Sequence, residues 1–255
     1  RRFQGVALGI DQHPGITRQR GRIARHVDDA LRRGVLGDRL GLRLRLSDQA
    51  SAEVDAGAVD VDFADLPVGG GIGPHHPVQE VSWFDAIKWC NARSEKDQLE
   101  PCYIVDNRPF RTGSTVPGVN WTANGYRLPT EAEWEKAARG GLSGKRFHWG
   151  DTINHNQANY GSESAYVYDI SPTRGSHPAY TVGNHPYTSP VGSFAANGYG
   201  LYDMTGNVWE WCWDWYGGST YVNGATNPRG PASGTSRVFR GGGWNIQAIA
   251  CRAAY

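Results

Sequence analysis

Gly206-Asn207-Val208-Trp209-Glu210-Trp211-Cys212-Trp213-Asp214-Trp215-Tyr216 places a tryptophan at every second position from Trp209 to Trp215. Side chains of an extended strand alternate between faces, so the indoles point one way and Glu210, Cys212 and Asp214 the other. Each indole can bury roughly 150–250 Å². The tryptophan face is therefore expected to anchor a core, which leaves the opposite face for chemistry.

Two helices are expected to pack near this strand. Ser82-Trp83-Phe84-Asp85 is a variant capping box that opens a helix to about Ser94, with Phe84, Ile87, Trp89 and Cys90 apolar and Lys88 and Asn91 polar. Thr130-Glu131-Ala132-Glu133 is a second capping box, and that helix stops at Gly140-Gly141. Glu131, Glu133 and Glu135 read as carboxylates of the helix start and surface. The rest is rich in Gly, Asn, Ser and Tyr, with short strands at most. An α+β class follows, loop-rich and held by aromatic anchors.

Composition divides the chain near residue 80. Every tryptophan, tyrosine and lysine lies beyond residue 82, whereas arginines crowd the first 45 residues and acidic groups gather from Asp48 to Asp65. Residues 1–76 read as a poorly ordered or artefactual region, the alternative being a small helical unit over Ile23 to Leu46. His75-His76 reads as solvated linker. Residues 77–255 read as the domain proper, truncated at its C-terminus, so the chain is expected to be a fragment.

A formal charge of +1 gives no case for a nucleic-acid partner. No apolar run approaches the roughly 20 residues of a membrane span. Cys90, Cys102, Cys212 and Cys251 lack the paired spacing of a zinc site and leave two disulfides or four buried thiols open.

Longer blocks carry a resemblance. Val81-Ser82-Trp83-Phe84-Asp85-Ala86, Gly125-Tyr126-Arg127-Leu128-Pro129-Thr130-Glu131-Ala132-Glu133-Trp134 and His148-Trp149-Gly150-Asp151 come first. Asn197-Gly198-Tyr199-Gly200-Leu201-Tyr202-Asp203-Met204, the tryptophan strand and Arg240-Gly241-Gly242-Gly243-Trp244 follow. Together they resemble the formylglycine-generating (sulfatase-modifying factor) family, which also holds ergothioneine-synthesis and pyoverdine-maturation relatives. The resemblance implies a variant of the C-type lectin fold with two packed helices.

It also implies sites. Two family cysteines bind Cu(I), a soft ion that favours thiolates, and oxygen then converts a substrate cysteine to formylglycine. The second cysteine falls on Cys251, the first on Ile246, a pocket serine on Gly243 and the active-site tryptophan on Trp209. Cys251 would need another ligand, from Cys212, His148 or His185; otherwise it is a small buried hydrophobe. A calcium ion would take the Asp203 side chain, the Gly206 and Val208 carbonyls and the Glu210 carboxylate, hard oxygen donors suited to Ca²⁺. Read without the family, Asp203 and Glu210 cap a turn or pair with an arginine. A second calcium site would use Asn159 and the Tyr160 carbonyl, although its aspartate position is Gly183. His13 and His26 do not form the iron-binding motif of the sulfoxide-synthase relatives.

Two functions stay open. One is an oxidoreductase acting on a protein or peptide substrate with a Cys-x-Pro-x-Arg segment, typically a sulfatase. The other is a non-catalytic ligand-binding protein on the same scaffold, either an inactive paralogue or a retroelement-diversified protein whose variable segment runs from Trp244 to Tyr255.

Overall fold

The computed structural model describes residues 73, 75–217 and 225–254. The expectations for residues 1–72 lie outside these. Helix α1 spans Trp83–Lys96 and helix α2 spans Glu131–Arg139, each with the expected capping box. In both, the N-cap hydroxyl accepts the N3 amide while the N3 carboxylate accepts the N-cap amide, which satisfies two otherwise orphaned donors. Seven short strands are described: β1 Tyr103–Val105, β2 Arg108–Pro109, β3 Gly118–Val119, β4 Thr181–Val182, β5 His185–Pro186, β6 Glu210–Trp215 and β7 Arg237–Arg240. They pair antiparallel as β2-β1-β3, β4-β5 and β6-β7, so the described residues are α+β.

Strand β6 is where the sequence reading is corrected. Its buried residues are Glu210, Cys212 and Asp214, while Trp211, Trp213 and Trp215 are half-buried. The reason is that each face packs against a helix. On the indole side, Trp83 Nε1 of α1 donates to the Cys212 carbonyl at 2.9 Å, and Trp213 stacks on Tyr103 at 5.6 Å. The Arg237 guanidinium lies over Trp215, Trp83 and Trp213, which keeps the outer indole faces covered by a cation. On the polar side, the Glu131 amide at the start of α2 donates to Asp214 Oδ2 at 2.8 Å, and Trp134 Nε1 donates to Glu210 Oε2 at 2.5 Å. The carboxylates face inward because α2 presents donors to them.

Other polar expectations change for the same reason. Asn91 is fully buried; its amide donates to the Tyr103 and Phe110 carbonyls and accepts the Tyr103 amide, tying α1 to β1. Lys88 is half-buried and pairs with Asp85 at 3.3 Å. Glu133 is held by both terminal nitrogens of Arg127, Glu135 pairs with Arg139, and Glu131 pairs with Arg240. His76 is half-buried against Thr188 at 2.9 Å, and the His75 carbonyl accepts the Val191 amide, so this pair anchors a loop. All four cysteines are buried free thiols.

Among the described residues the core forms three clusters. The first surrounds α1, with Ile87, Cys90, Tyr103 and Leu128; the second surrounds α2, with Trp134, Met204, Cys212 and Val238. The third contains Phe147, Ile153, Ala158, Tyr160, Ala248 and Cys251. The loop from Asp203 to Trp209 leads into β6 where these clusters meet.

Candidate functional site

Three segments converge on this loop: residues 155–163, the turn after β7 from Gly241 to Trp244, and a 3-10 turn at Ala248–Cys251. Asn207 joins them. Its amide donates to the Asn159 carbonyl at 2.7 Å, its carbonyl accepts the Trp244 amide at 2.8 Å, and its side chain bonds both backbone groups of Ser189. Gly206 has φ +73°, and its amide donates to the Gly241 carbonyl at 2.7 Å. A side chain there would overlap the Asn159 carbonyl oxygen, so the crossing requires glycine.

Cys251 lies beneath this crossing and is fully buried. Its sulfur packs against Gly242, where an added Cβ would stand only 2.5 Å from it. Burial pushes the thiol up to about 12; the Gly206 and Gly243 amides pull the other way, and Asp169 adds to the rise. Such a thiol stays protonated at neutral pH and is a poor nucleophile. The Ile246 side chain is half-buried, and its carbonyl accepts the Gly161 amide at 2.9 Å. Cys212 belongs to the α2 cluster, and His185 is exposed on β5. Trp209 is half-buried, edge-on to Phe239 at 4.6 Å, and its Cδ1 would touch a Cβ on Gly243 at 3.6 Å. The fold thus gathers Trp209, Gly243 and Cys251 around one turn.

The carboxylate end of the loop has a different character. Asp203 adopts φ +57° and its Oδ2 accepts the Gly192 amide at 2.6 Å. Buried Glu210 is pushed up to about 8, first by burial and then by the negative charge of Asp203, with the Trp134 indole partly offsetting both. The space left by the missing side chain of Gly241 is bordered by Trp134 Cζ2 at 3.4 Å, the Val208 carbonyl at 3.8 Å and the Met204 carbonyl at 3.9 Å. Two neighbouring carboxyl groups and nearby backbone carbonyls are the hard oxygen donors that a divalent cation takes. Met204 and Trp134 escaped the sequence reading. A carbonyl leaves no mark in residue type, and Trp134 reads as the apolar face of a helix.

At the other pair of predicted ligands, Asn159 Nδ2 donates to the Tyr187 carbonyl at 2.9 Å, and the Tyr160 carbonyl faces His155 Nε2 at 3.2 Å. Gly183, the aspartate position, sits at the exposed β4–β5 turn with φ +61°. Among the described residues, no group of three or more His, Cys, Asp or Glu side chains gathers as a metal site.

The loop over Cys251 carries a titratable core. His177 accepts the Ala179 amide at Nδ1, so its Nε2–H donates to the His155 carbonyl at 2.7 Å. Burial lowers the pKa of both His155 and His177 below the usual 6.5. The unfolded chain therefore takes up protons that the fold refuses, and stability is full above pH 6.5 and falls as pH drops through that value. In thermal melts from pH 7.5 to 5, the unmodified chain is expected to lose more stability than His155→Gln/His177→Gln, while His76 and His148, which burial also lowers, and Glu210, whose raised pKa acts in the opposite direction, contribute alike to both. An unchanged slope in the double variant would remove the pair from this role.

Comparisons with known proteins converge on one scaffold. The family model of the sulfatase-modifying factor enzyme 1-like domain matches residues 62–255. A chaperone protein, LppX of Paenibacillus barcinonensis, is 39% identical over 182 residues, 68% of this chain and 60% of its own length. The formylglycine-generating enzyme of Thermomonospora curvata is 37% identical over 175 residues, 66% of this chain and 45% of its own. The chain therefore spans about half the length of these curated relatives. Among solved structures, Treponema denticola variable protein 1 is 33% identical with a TM-score of 0.55, covering 76% of this chain and 69% of that one.

Proposed function

The chain belongs to the sulfatase-modifying factor (formylglycine-generating enzyme) family, and on that premise we propose that it is a calcium-stabilised, non-oxidising member that binds a protein or peptide. The observation that carries this reading is the single buried thiol at Cys251, with Ile246 where the family places the first of its two cysteines. Cu(I) does not fit these residues. One sulfur, fully enclosed and held protonated, supplies half of a two-thiolate site.

Calcium does fit. Asp203, Glu210 and the Gly206 and Val208 carbonyls would hold it. When bound, it would supply positive charge that offsets the buried Glu210 carboxylate and the half-buried Asp203 carboxylate near it. Asn159 and Tyr160 keep their place as a second, weaker candidate pair. The scaffold is read as a loop-rich variant of the C-type lectin fold. Among the described residues, no helix is long and apolar enough to cross a membrane.

The binding face is assigned to the turn from Trp244 to Ile249. Trp244 stacks on Tyr187 at 6.0 Å with 17° between the rings, and its Nε1 donates to Gln79. The backbone of this turn is fixed by Trp244 to Asn207, Gly161 to Ile246 and Ala250 to Gln247 bonds, while Asn245, Ile246 and Ile249 keep exposed area. Side chains on a fixed backbone can change without disturbing the fold. The likeness to a protein named variable, and a relative named a chaperone, support such a role.

The rival reading is oxidation of a Cys-x-Pro-x-Arg substrate, favoured by the gathering of Trp209, Gly243 and Cys251. Mass spectrometry of such a peptide incubated with the protein, copper, oxygen and a reductant separates the two. The unmodified chain is expected to leave the cysteine intact. Formylglycine from it would overturn the proposal, whereas product from Ile246→Cys alone would mark a scaffold that has lost one ligand.

A further inference from the structure

Trp134 sits on α2 with 1% of its surface exposed, and its indole nitrogen donates to Glu210 Oε2 at 2.5 Å. A core position of this kind needs only an apolar ring, and a phenyl group would fill most of the same volume. The N–H is what distinguishes it. Indole donates and never accepts, so it takes one carboxylate oxygen permanently and leaves Oε1 for another partner. Close packing confines the ring, and α2 is tied to β6 at a second point, the Glu131 amide on Asp214. Its six-membered ring also walls the space bordered by the Val208 and Met204 carbonyls.

We propose that Trp134 is a positioning residue of the cation site, holding Glu210 so that it offers one fixed oxygen to a bound Ca²⁺. This rests on the calcium reading above. A carboxyl group held in one orientation by a hydrogen bond loses little freedom on binding. Cation occupancy and the docking of α2 on β6 are thereby linked through one side chain. The same indole would stand beside a bound ion and could pass excitation energy to a lanthanide placed there.

The test uses the whole chain freed of metal, with Ca²⁺ titrated calorimetrically and Tb³⁺ as a luminescent probe excited through tryptophan. Unmodified protein is expected to bind Ca²⁺ and to show sensitised Tb³⁺ emission that Ca²⁺ displaces. Glu210→Gln is expected to lose both. Trp134→Phe is expected to bind Ca²⁺ about tenfold or more weakly, as loss of a hydrogen bond to a charged group predicts, and to lose most of the emission at saturating Tb³⁺. Failure of the unmodified chain to bind, or wild-type binding by Glu210→Gln, would sink the calcium reading itself. Intact binding in the unmodified chain, lost in Glu210→Gln but unchanged in affinity and emission in Trp134→Phe, would overturn only the role of Trp134. Should Trp134→Phe not fold, the ¹⁵N-indole spectrum of the unmodified chain decides. The indole resonance perturbed by Glu210→Gln must shift with the calcium titration, and a resonance that stays still would overturn the proposal.

Discussion

Gly206→Ala is expected to lower the thermal midpoint by about 10 °C, the larger part of it from one backbone crossing. The residue adopts φ +73°, where a side chain costs roughly 1–2 kcal/mol. Its new Cβ would overlap the Asn159 carbonyl oxygen, which belongs to the backbone and already accepts the Asn207 amide at 2.7 Å. Relief requires moving one of two hydrogen-bonded segments, a further cost of about 1–3 kcal/mol for overpacking. The total is about 2–5 kcal/mol, and each kcal/mol shifts the midpoint by roughly 2–4 °C in a domain of this size.

Differential scanning fluorimetry of Gly206→Ala beside Gly183→Ala supplies the measurement. Gly183 also has positive φ, +61°, but an added Cβ meets nothing within 4 Å. Its variant is expected to lose only the conformational part. Equal losses at the two positions would mean that the crossing carries no special packing. Because Gly206 contributes a proposed calcium ligand and an amide to Cys251, its variant should also bind Ca²⁺ more weakly.

Arg127→Ala is expected to cost about 1.5–3 kcal/mol, the range for hydrogen bonds to a charged group, because the pair is only partly enclosed. Its terminal nitrogens bond both oxygens of Glu133 at 2.7 and 2.8 Å, and one also reaches the Leu128 carbonyl at 3.0 Å. The guanidinium lies over Trp121 at 4.9 Å. Removing it leaves the Glu133 carboxylate, 29% exposed, with the Thr130 amide and hydroxyl as partners. Arg127→Lys should recover only part of the loss, since an ammonium cannot fork across two oxygens.

The pH dependence has a definite sign. Burial alone would raise Glu133, but the Arg127 bonds and charge leave its pKa lowered. The stabilisation it brings is therefore complete above the unfolded carboxylate pKa of about 4.3 and is lost as pH falls through the lower folded value. The gap between unmodified protein and Arg127→Ala, measured by denaturant melts, should narrow below about pH 4. A gap that stays constant to acid would assign the loss to Trp121 and the Leu128 carbonyl instead.

Local signals were legible wherever the chemistry is short-range. Both capping boxes sit within four residues, so Ser82-to-Asp85 and Thr130-to-Glu133 could be read directly, and they start the helices of the structure. The alternation along β6 was equally plain. Its polarity was not. Glu210 and Asp214 are inward because α2, some eighty residues earlier, delivers an indole N–H and a helix-end amide to them. No window along the chain contains that information. Asn91 was misread for the same reason, its three backbone partners lying on β1 and on the carbonyl of Phe110.

The candidate site divides along the same line. Asp203, Glu210, Trp209 and Cys251 are side chains within recognisable blocks, and the sequence by itself names them, along with the family and the missing first cysteine at Ile246. Only the tertiary structure sets Asp203 against Glu210, turns the Met204 and Val208 carbonyls toward one space and seals the Cys251 thiol under Gly242. Side-chain chemistry is written in residue type, whereas burial, backbone direction and the company a charge keeps arise when distant segments pack.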